Sequence, residues 1–396
     1  MSLNKKKLFE YIFFLILIFG YLNAVLRVSP ESKFTLFRLL IPVILVYTFF
    51  DSFLKFRKFY IILLTLLIYG LINSLFISKW HSFNFTYFLH YATLLLLFFL
   101  VKVYSNKIGL HIFYKHLKYF YIFMVIMGFL QILTRIPWPN VEIREAPNIF
   151  FSVENDFAAA LAIFLPFLVI DKTGNKYFNW LLAFAGVYII IISEARIALI
   201  SLVLFFLLIL WDQFKLIGST ILIILICFGI NLINEINLGG NNLLELFIDP
   251  IEHIINLKPY NLGSSISDRT DAIIYGIISY KETWGFGIGP GNTSANLFKD
   301  SEYSMISAES MHNFFAQIVV EYGWLTIVGL VLILFYLKKI RSKDIFENNN
   351  AFKFYIFSAI LTSLSQSEGL FSNYFFFVTL YFSIFYFNRK TITISN

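Results

Sequence analysis

Long apolar runs recur along almost the whole chain, and no other feature of the sequence restricts its fold as strongly. A helix crosses the hydrocarbon core of a bilayer with about 20 consecutive apolar residues. The chain has 396 residues, of which 59% are hydrophobic and 14% are charged, whereas soluble domains are about 25% charged. In hydrocarbon, every backbone N–H and C=O group must be paired within its own segment. The sequence therefore predicts an all-α integral membrane protein.

The apolar runs predict about 12 transmembrane helices in a single polytopic domain covering residues 1–396. They lie near 8–28, 34–54, 59–78, 83–104, 117–135, 156–171, 177–193, 196–211, 216–236, 313–337, 351–368 and 371–388. The sequence SEAR at 193–196 separates two of these runs and leaves open whether they form one re-entrant unit.

The Lys and Arg residues give the chain an orientation. With the N-terminus inside, most of the 31 Lys and Arg residues fall in the inner loops, as the positive-inside rule expects. The longest loop, residues 237–312, is poor in these residues and precedes the tenth run. The sequence therefore predicts that both termini are cytoplasmic and that this loop is external.

The external loop has two segments of helical periodicity, Asn242–Leu257 and Ser267–Trp284. The second segment is amphipathic at 100° per residue. Its apolar face, which we expect to pack against the membrane-embedded body, consists of Ile273, Gly276, Ile277, Tyr280 and Trp284. Its polar face consists of Asp268, Asp271, Tyr275, Ser279 and Glu282. Arg269 lies with the apolar residues, where a cation needs a partner.

A glycine-rich sequence, GFGIGPGN, follows this segment at residues 285–292. It has no Lys and, by our interpretation, no following helix of the phosphate-cradling type. We therefore expect a tight turn with positive φ angles that brings the chain back to the helix bundle. A second external loop covers residues 136–155, and its last residue, Asn155, is the predicted N-cap of the next helix.

Three residues are candidates for a site on the external side: Arg196, Arg269 and His312. Arg196 starts an apolar run at its external end, where the helix dipole disfavours a cation unless an anion also binds. Two external arginines suit a diphosphate, because guanidinium binds phosphate oxygens bidentately and keeps its charge. His312 opens the tenth run, and an imidazole accepts a proton near neutral pH.

Each candidate has a structural alternative. Arg196 could be a snorkelling anchor, Arg269 could pair with Glu194 or Glu321, and His312 could be a cap or an interfacial residue. Glu321 lies inside a predicted span, where carboxylates are costly, and pairing with an Arg could be its whole role.

The sequence predicts neither a metal site nor a cofactor. Cys227 is the single cysteine, and the other His residues are scattered over both sides of the predicted membrane. The Lys and Arg residues of the predicted inner loops account for the net charge of +7, so no nucleic-acid partner is expected.

Four pieces of the chain resemble, in order, the O-antigen ligase and polymerase superfamily of membrane glycosyltransferases. They are NDFA at 155–158, SEARIALISL at 193–202, SDRTDAIIYGIISYKETWGFGIGPGN at 267–292 and MHNFFAQIVVEYGWLTIVGL at 311–330. The resemblance covers about residues 155–335. It departs from the family at SEAR, where Glu194 competes for Arg196.

The resemblance implies a metal-independent glycosyltransferase of the bacterial cytoplasmic membrane, acting on glycans linked to undecaprenyl diphosphate. Arg196 and Arg269 would hold the diphosphate, and His312 would assist the acceptor hydroxyl. The expected partners are this donor, a glycan acceptor, the lipid bilayer and a chain-length regulator.

The acceptor distinguishes two activities. A polymerase for O-antigen, capsule or exopolysaccharide extends another lipid-linked glycan, and we favour it because the external loops are compact. A ligase transfers the glycan to the core sugars of lipid A. A transporter or flippase is an alternative of another class, which predicts charges near the middle of the bilayer and internal repeats.

Overall fold

A computed structural model gives the fold. The structure describes residues 3–21, 39–40, 57–77, 110–136, 146–149, 154–170, 175–193, 195, 197–207, 220, 243–259, 265–299, 311, 313–328 and 331.

These residues are mostly helical and contain no strand, which confirms the all-α prediction for the described part of the chain. The helices with defined ends are α1 (Leu3–Tyr21), α2 (Arg57–Phe76), α3 (Leu110–Thr134), α4 (Glu154–Ile170), α5 (Lys176–Ile192), α6 (Leu243–Asn256), α7 (Ser265–Glu282), α8 (Asn292–Lys299) and α9 (Phe314–Tyr322). Across the described residues, no helix combines the length and the apolar character needed to cross a membrane. The number of 12 spans stays a prediction.

Several predicted runs coincide with helices. Those at 8–28, 59–78, 117–135, 156–171 and 177–193 overlap α1 to α5, with ends that differ by up to seven residues. The helical residues at 197–207 follow a break at Ser193, where α5 ends. The predicted runs at 83–104, 351–368 and 371–388 lie outside the described residues. Those at 34–54 and 216–236 lie almost wholly outside them.

Helix α4 forms the centre of the first group of helices. It packs against α3 and α5, and α1 packs against α3. Every residue from Asp156 to Leu165 is buried. The prediction of Asn155 as N-cap was wrong, because α4 already includes Glu154. The carboxylates of Glu154 and Asp156 in its first turn instead suit the positive end of the helix dipole.

Gln131 joins the C-terminal end of α3 to residues 146–149 of the second loop that was predicted to be external. Its Nε2 donates to Asn148 Oδ1 at 2.9 Å. Its Oε1 accepts from the backbone N–H groups of Asn148 at 3.1 Å and Ile149 at 2.6 Å. Asn148 and Ile149 are both buried. One amide side chain thus satisfies the polar groups of a buried loop segment.

The second group of helices comes from the external loop and the run that follows it. Helix α7 packs against α6 and α9, and α8 packs against α9. Their shared core consists of Ala272, Tyr275, Ile288, Leu297, Met311 and Val320. Helices α6 and α7 confirm both predicted helical segments of the loop, with bounds shifted by about two residues, as is usual at helix ends.

The predicted orientation of α7 was wrong. Asp271, Tyr275 and Ser279 of the polar face are buried, whereas Ile273 and Ile277 of the apolar face are only half-buried. Burial of this polar face is tolerable where its groups find partners: Tyr275 Oη accepts a hydrogen bond from Asn296 Nδ2 at 2.8 Å. The side of α7 that faces away from the protein therefore carries these isoleucines together with charged side chains.

Candidate functional site

A Schellman motif ends α7 and leads into the glycine turn, which we define as residues 285–291. Gly285 N–H donates to Tyr280 O at 2.8 Å and Trp284 N–H donates to Lys281 O at 3.1 Å. This motif places one residue in the left-handed region, usually Gly. Here it is Trp284, with φ of 53°.

All four glycines of the turn have positive φ, as predicted: 75° at Gly285, 86° at Gly287, 93° at Gly289 and 76° at Gly291. L-residues rarely adopt such angles, whereas glycine does so without a steric penalty. The glycines therefore fix the path of the chain between α7 and α8.

The glycine turn is hydrogen-bonded to the end of α9. Ile288 N–H donates to Val320 O and Gly289 N–H donates to Glu321 O, both at 3.0 Å. In the other direction, Trp324 N–H donates to Gly285 O at 2.9 Å. A Cβ at Gly287 would lie 2.5 Å from Glu321 O, so this close approach requires glycine. Helices α7 and α9 are thus joined at this end by backbone contacts.

A helix follows the glycine turn directly, contrary to the sequence interpretation. Helix α8 begins at Asn292, and the Asn292 side-chain amide donates to the carbonyl of Ile288. The first residues of α8, Asn292 and Thr293, are buried. The sequence gave weak signal for this helix because its apolar content is low and its length is short.

Helix α2 contacts the glycine turn through two hydrogen bonds to one backbone carbonyl. The backbone oxygen of Phe286 accepts from Tyr69 Oη at 2.5 Å and from Asn73 Nδ2 at 3.0 Å. Tyr69 and Asn73 are one helical turn apart on the same face of α2. The contact links a helix near the N-terminus to a turn more than 200 residues later.

Arg269 lies near the start of α7 with an exposed side chain. It shares one side of the helix with Ile273 and Ile277, as the helical periodicity predicted.

His312 lies outside the described residues, but both of its neighbours are fixed. Met311 is buried, and a Cβ at Gly276 of α7 would lie 2.7 Å from the Met311 methyl group. Asn313 is the N-cap of α9, and its Oδ1 accepts from Ala316 N–H at 3.0 Å. The chain on both sides of His312 is therefore anchored, on one side to α7 and on the other to α9.

Arg196 and Glu194 also lie outside the described residues. Before them, Ser193 caps α5, and its Oγ donates to Ile189 O at 2.9 Å. Ala195 and Ala198 are buried. The role predicted for Arg196 stays a prediction.

Glu321 is fully buried at the glycine turn, and its Oε1 accepts from Gln317 Nε2 at 3.0 Å. Its backbone oxygen is one of the acceptors of the turn. Glu321 is therefore part of the structure that joins α7 to α9. Within the described residues, no group of three His, Cys, Asp or Glu side chains is placed to hold a metal ion.

These features define an all-α protein in which a glycine turn joins an Arg-bearing helix to a helix that starts just after a His. Residues 181–334 match the family model described as O-antigen ligase. The match confirms the resemblance to the O-antigen ligase and polymerase superfamily. Three of the four resembling pieces lie inside the matched residues, and NDFA lies before them. A comparison with curated proteins finds no match.

The matched family is associated with a general activity. Its members are bacterial inner-membrane proteins with ligase-type or polymerase-type glycosyl transfer, and they act on lipid-linked glycans in polysaccharide biosynthesis. The matched segment includes Arg196, Arg269, the glycine turn and His312, whereas α2 lies outside it.

Sequence reasoning missed Tyr69 and Asn73. A signal was present, because polar side chains one turn apart within an apolar run of about 20 residues are costly in a membrane and mark a functional contact. Their partner could not be predicted, since it is the backbone oxygen of Phe286, more than 200 residues later in the sequence.

Proposed function

We propose that this chain is a polymerase for O-antigen, capsular or exopolysaccharide repeats in the bacterial cytoplasmic membrane. It transfers a glycan from undecaprenyl diphosphate to the end of another lipid-linked glycan on the external side. The family match carries the general activity. The choice of polymerase rests on the compact external loop, of which α6, α7 and α8 form a packed unit with α9.

One structural observation supports a shared site for Arg269 and His312. Met311 contacts α7 at Gly276, which lies about two helical turns, or about 10 Å, along the axis from Arg269. The glycine turn, which follows the C-terminal end of α7, is hydrogen-bonded to the C-terminal end of α9. Arg269 and the residue next to Met311 are therefore carried by one packed unit.

In the proposed reaction, an acceptor hydroxyl oxygen attacks the anomeric carbon of the donor sugar. The bond from this carbon to the diphosphate oxygen breaks, and its electron pair leaves with undecaprenyl diphosphate. Arg269 and Arg196 stabilise the charge that develops on the diphosphate. His312 orients the acceptor hydroxyl and accepts its proton. Attack from the side opposite the diphosphate inverts the anomeric centre, and the mechanism uses no metal ion.

The proposal is tested by the length distribution of surface glycan in a deletion strain. The strain is complemented with wild type, Arg269→Ala or His312→Ala, and each variant is quantified in the membrane fraction. Lys281→Ala serves as the matched control, because Lys281 is an exposed cation on the same helix. We expect the control to restore the ladder and the two site variants to leave single repeats.

The description of the matched family, O-antigen ligase, favours a second candidate in the same class. A ligase predicts that long chains persist on the lipid carrier and never reach lipid A. Normal ladders with both site variants would show that the site residues are wrong and would favour the transporter alternative.

A further inference from the structure

The outward side of helix α7 carries apolar as well as charged residues. Ser267, Asp271 and Tyr275 are fully buried, each one turn after the last. Ile273 and Ile277 lie on the outward side and are partly exposed. The two isoleucines lie there between two exposed cationic side chains.

The same apolar character continues on the neighbouring helix. Helix α6 packs against α7, and Ile251 and Ile255, one turn apart on α6, are 56% and 74% exposed. Asn256 is also exposed, but it lies about 100° around the α6 helix from Ile255. We define the outer apolar surface as Ile251, Ile255, Ile273, Ile277, Trp284 and Phe286.

The outer apolar surface joins helices that were predicted to lie in the membrane. Phe286 belongs to the turn that α2 holds, and around that contact α2 exposes Leu75 and Phe76. Beyond the turn, Trp324 and Ile327 are exposed as well. Large exposed apolar patches mark interaction sites, and continuity with predicted membrane helices identifies lipid as the occupant.

Trp284 gives a separate argument for this occupant. It holds the left-handed position of the Schellman motif, where glycine avoids a penalty that other residues incur. Yet its side chain is 89% exposed, so contacts within the protein do not offset that penalty. Indole rings favour the boundary between lipid and water.

We infer that the outer apolar surface rests on the outer leaflet of the lipid bilayer, with α6 and α7 lying along the boundary between headgroups and acyl chains. Helices of this kind bury their apolar face about 5–10 Å into that boundary. Arg269 is on the same side of α7 as Ile273 and Ile277, so its guanidinium lies at the level of the lipid phosphates. If the proposed function holds, a lipid-linked diphosphate reaches Arg269 by diffusion within the leaflet.

The test measures the contact with lipid directly. Full-length protein with Cys227→Ser receives one cysteine at Ile255→Cys or Ile277→Cys, or at the exposed control positions Asn256→Cys or Glu282→Cys, which lie about 100° and 140° around their helices from these two residues. Each variant is labelled with a polarity-sensitive fluorophore and reconstituted in vesicles of phosphatidylethanolamine and phosphatidylglycerol. Some of the lipids carry a nitroxide on the acyl chain as a quencher.

We expect a shift to shorter emission wavelength and strong loss of fluorescence at Ile255→Cys and Ile277→Cys, and neither at the two controls. Equal quenching at all four positions would overturn the inference. A shorter wavelength without quenching by lipid would also overturn it, because a protein partner, such as a second copy of this chain, would then cover the surface.

A second measurement covers the case in which the cysteine variants fail to fold. Brominated lipids quench the tryptophan fluorescence of the wild-type protein, and we expect Trp284→Phe to lose part of that quenching. An unchanged quenched fraction would overturn the inference. Both measurements need no glycan substrate, so their outcome is independent of whether the chain proves to be a polymerase.

Discussion

Replacing Gly287 by alanine tests whether the close approach of the glycine turn to α9 maintains the fold. The new Cβ would lie 2.5 Å from Glu321 O and 2.6 Å from Gly323 N, so it meets backbone on both sides. The backbone at Gly287 has φ of 86°. A side chain at such an angle costs about 1–2 kcal/mol. Overpacking in a tightly packed region costs about 1–3 kcal/mol more. We therefore expect Gly287→Ala to lower the free energy of unfolding by about 2–5 kcal/mol.

Gly285→Ala is the matched control. Gly285 has a similar φ of 75°, but its added Cβ would meet the hydroxyl end of Tyr280 at 2.9 Å, and a side chain can rotate away. Only the cost of the backbone angle, about 1–2 kcal/mol, remains.

The assay is thermal unfolding of the two variants and the wild type in detergent, followed by tryptophan fluorescence at one scan rate, because unfolding of such proteins is often irreversible. We expect the melting temperature to fall for both variants and to fall further for Gly287→Ala. Equal melting temperatures for the two variants would show that contact with the α9 backbone does not determine the position of the turn.

Three further substitutions test the contacts around the site. Asn73→Ala removes the donor to the Phe286 carbonyl while the Tyr69 hydroxyl remains, so we expect a loss of about 1 kcal/mol in a melting experiment, and unchanged stability would contradict the contact. Gln131→Leu leaves two buried backbone N–H groups of the second loop without an acceptor, and we expect each to lower the stability of the loop by about 1–3 kcal/mol. Limited proteolysis should then cut this loop faster than in the wild type, and an unchanged rate would contradict the contact. Met311→Ala opens a cavity against α7 and should lower the free energy of unfolding by about 2–5 kcal/mol. We also expect a shorter glycan ladder, and a normal ladder would show that Met311 does not position the next residue.

The sequence predicted those parts of the fold that depend on local signals. Apolar runs located α1 to α5 because each span-length segment satisfies its own backbone. The glycine turn was predictable because alternating glycines permit positive φ angles that other residues resist. The two helices of the external loop followed from their periodicity.

Contacts between distant segments were not predictable. The buried side of α7 was wrongly predicted because burial there follows from contacts with distant segments and not from the helical periodicity of the apolar residues. Tyr275 is buried because Asn296, on a helix that the sequence did not reveal, donates to its hydroxyl. Likewise, the two donors to Phe286 come from α2, and nothing in the local sequence pairs them with the turn.

The sequence identified Arg269 as a candidate site residue. Its side chain is exposed, which is consistent with a role in binding. The positions of Arg196 and His312 lie outside the described residues, and their roles stay predictions. The anchoring of Met311 and Asn313 around His312 could not be inferred from periodicity, because it depends on a methyl group packed at Gly276 and on a capping hydrogen bond.

The most direct test of the proposed activity is reconstitution of the purified chain in vesicles with a glycan repeat linked to undecaprenyl diphosphate. Mass spectrometry would count released undecaprenyl diphosphate and new glycosidic bonds, with Arg269→Ala as the comparison. We predict one carrier released for each bond formed, products of several repeats that remain lipid-linked, and a rate lowered by about 10²–10³ in Arg269→Ala, as for other groups that stabilise developing negative charge. Vesicles that form no bond, or that move the lipid-linked glycan across the bilayer without releasing its carrier, would contradict the account.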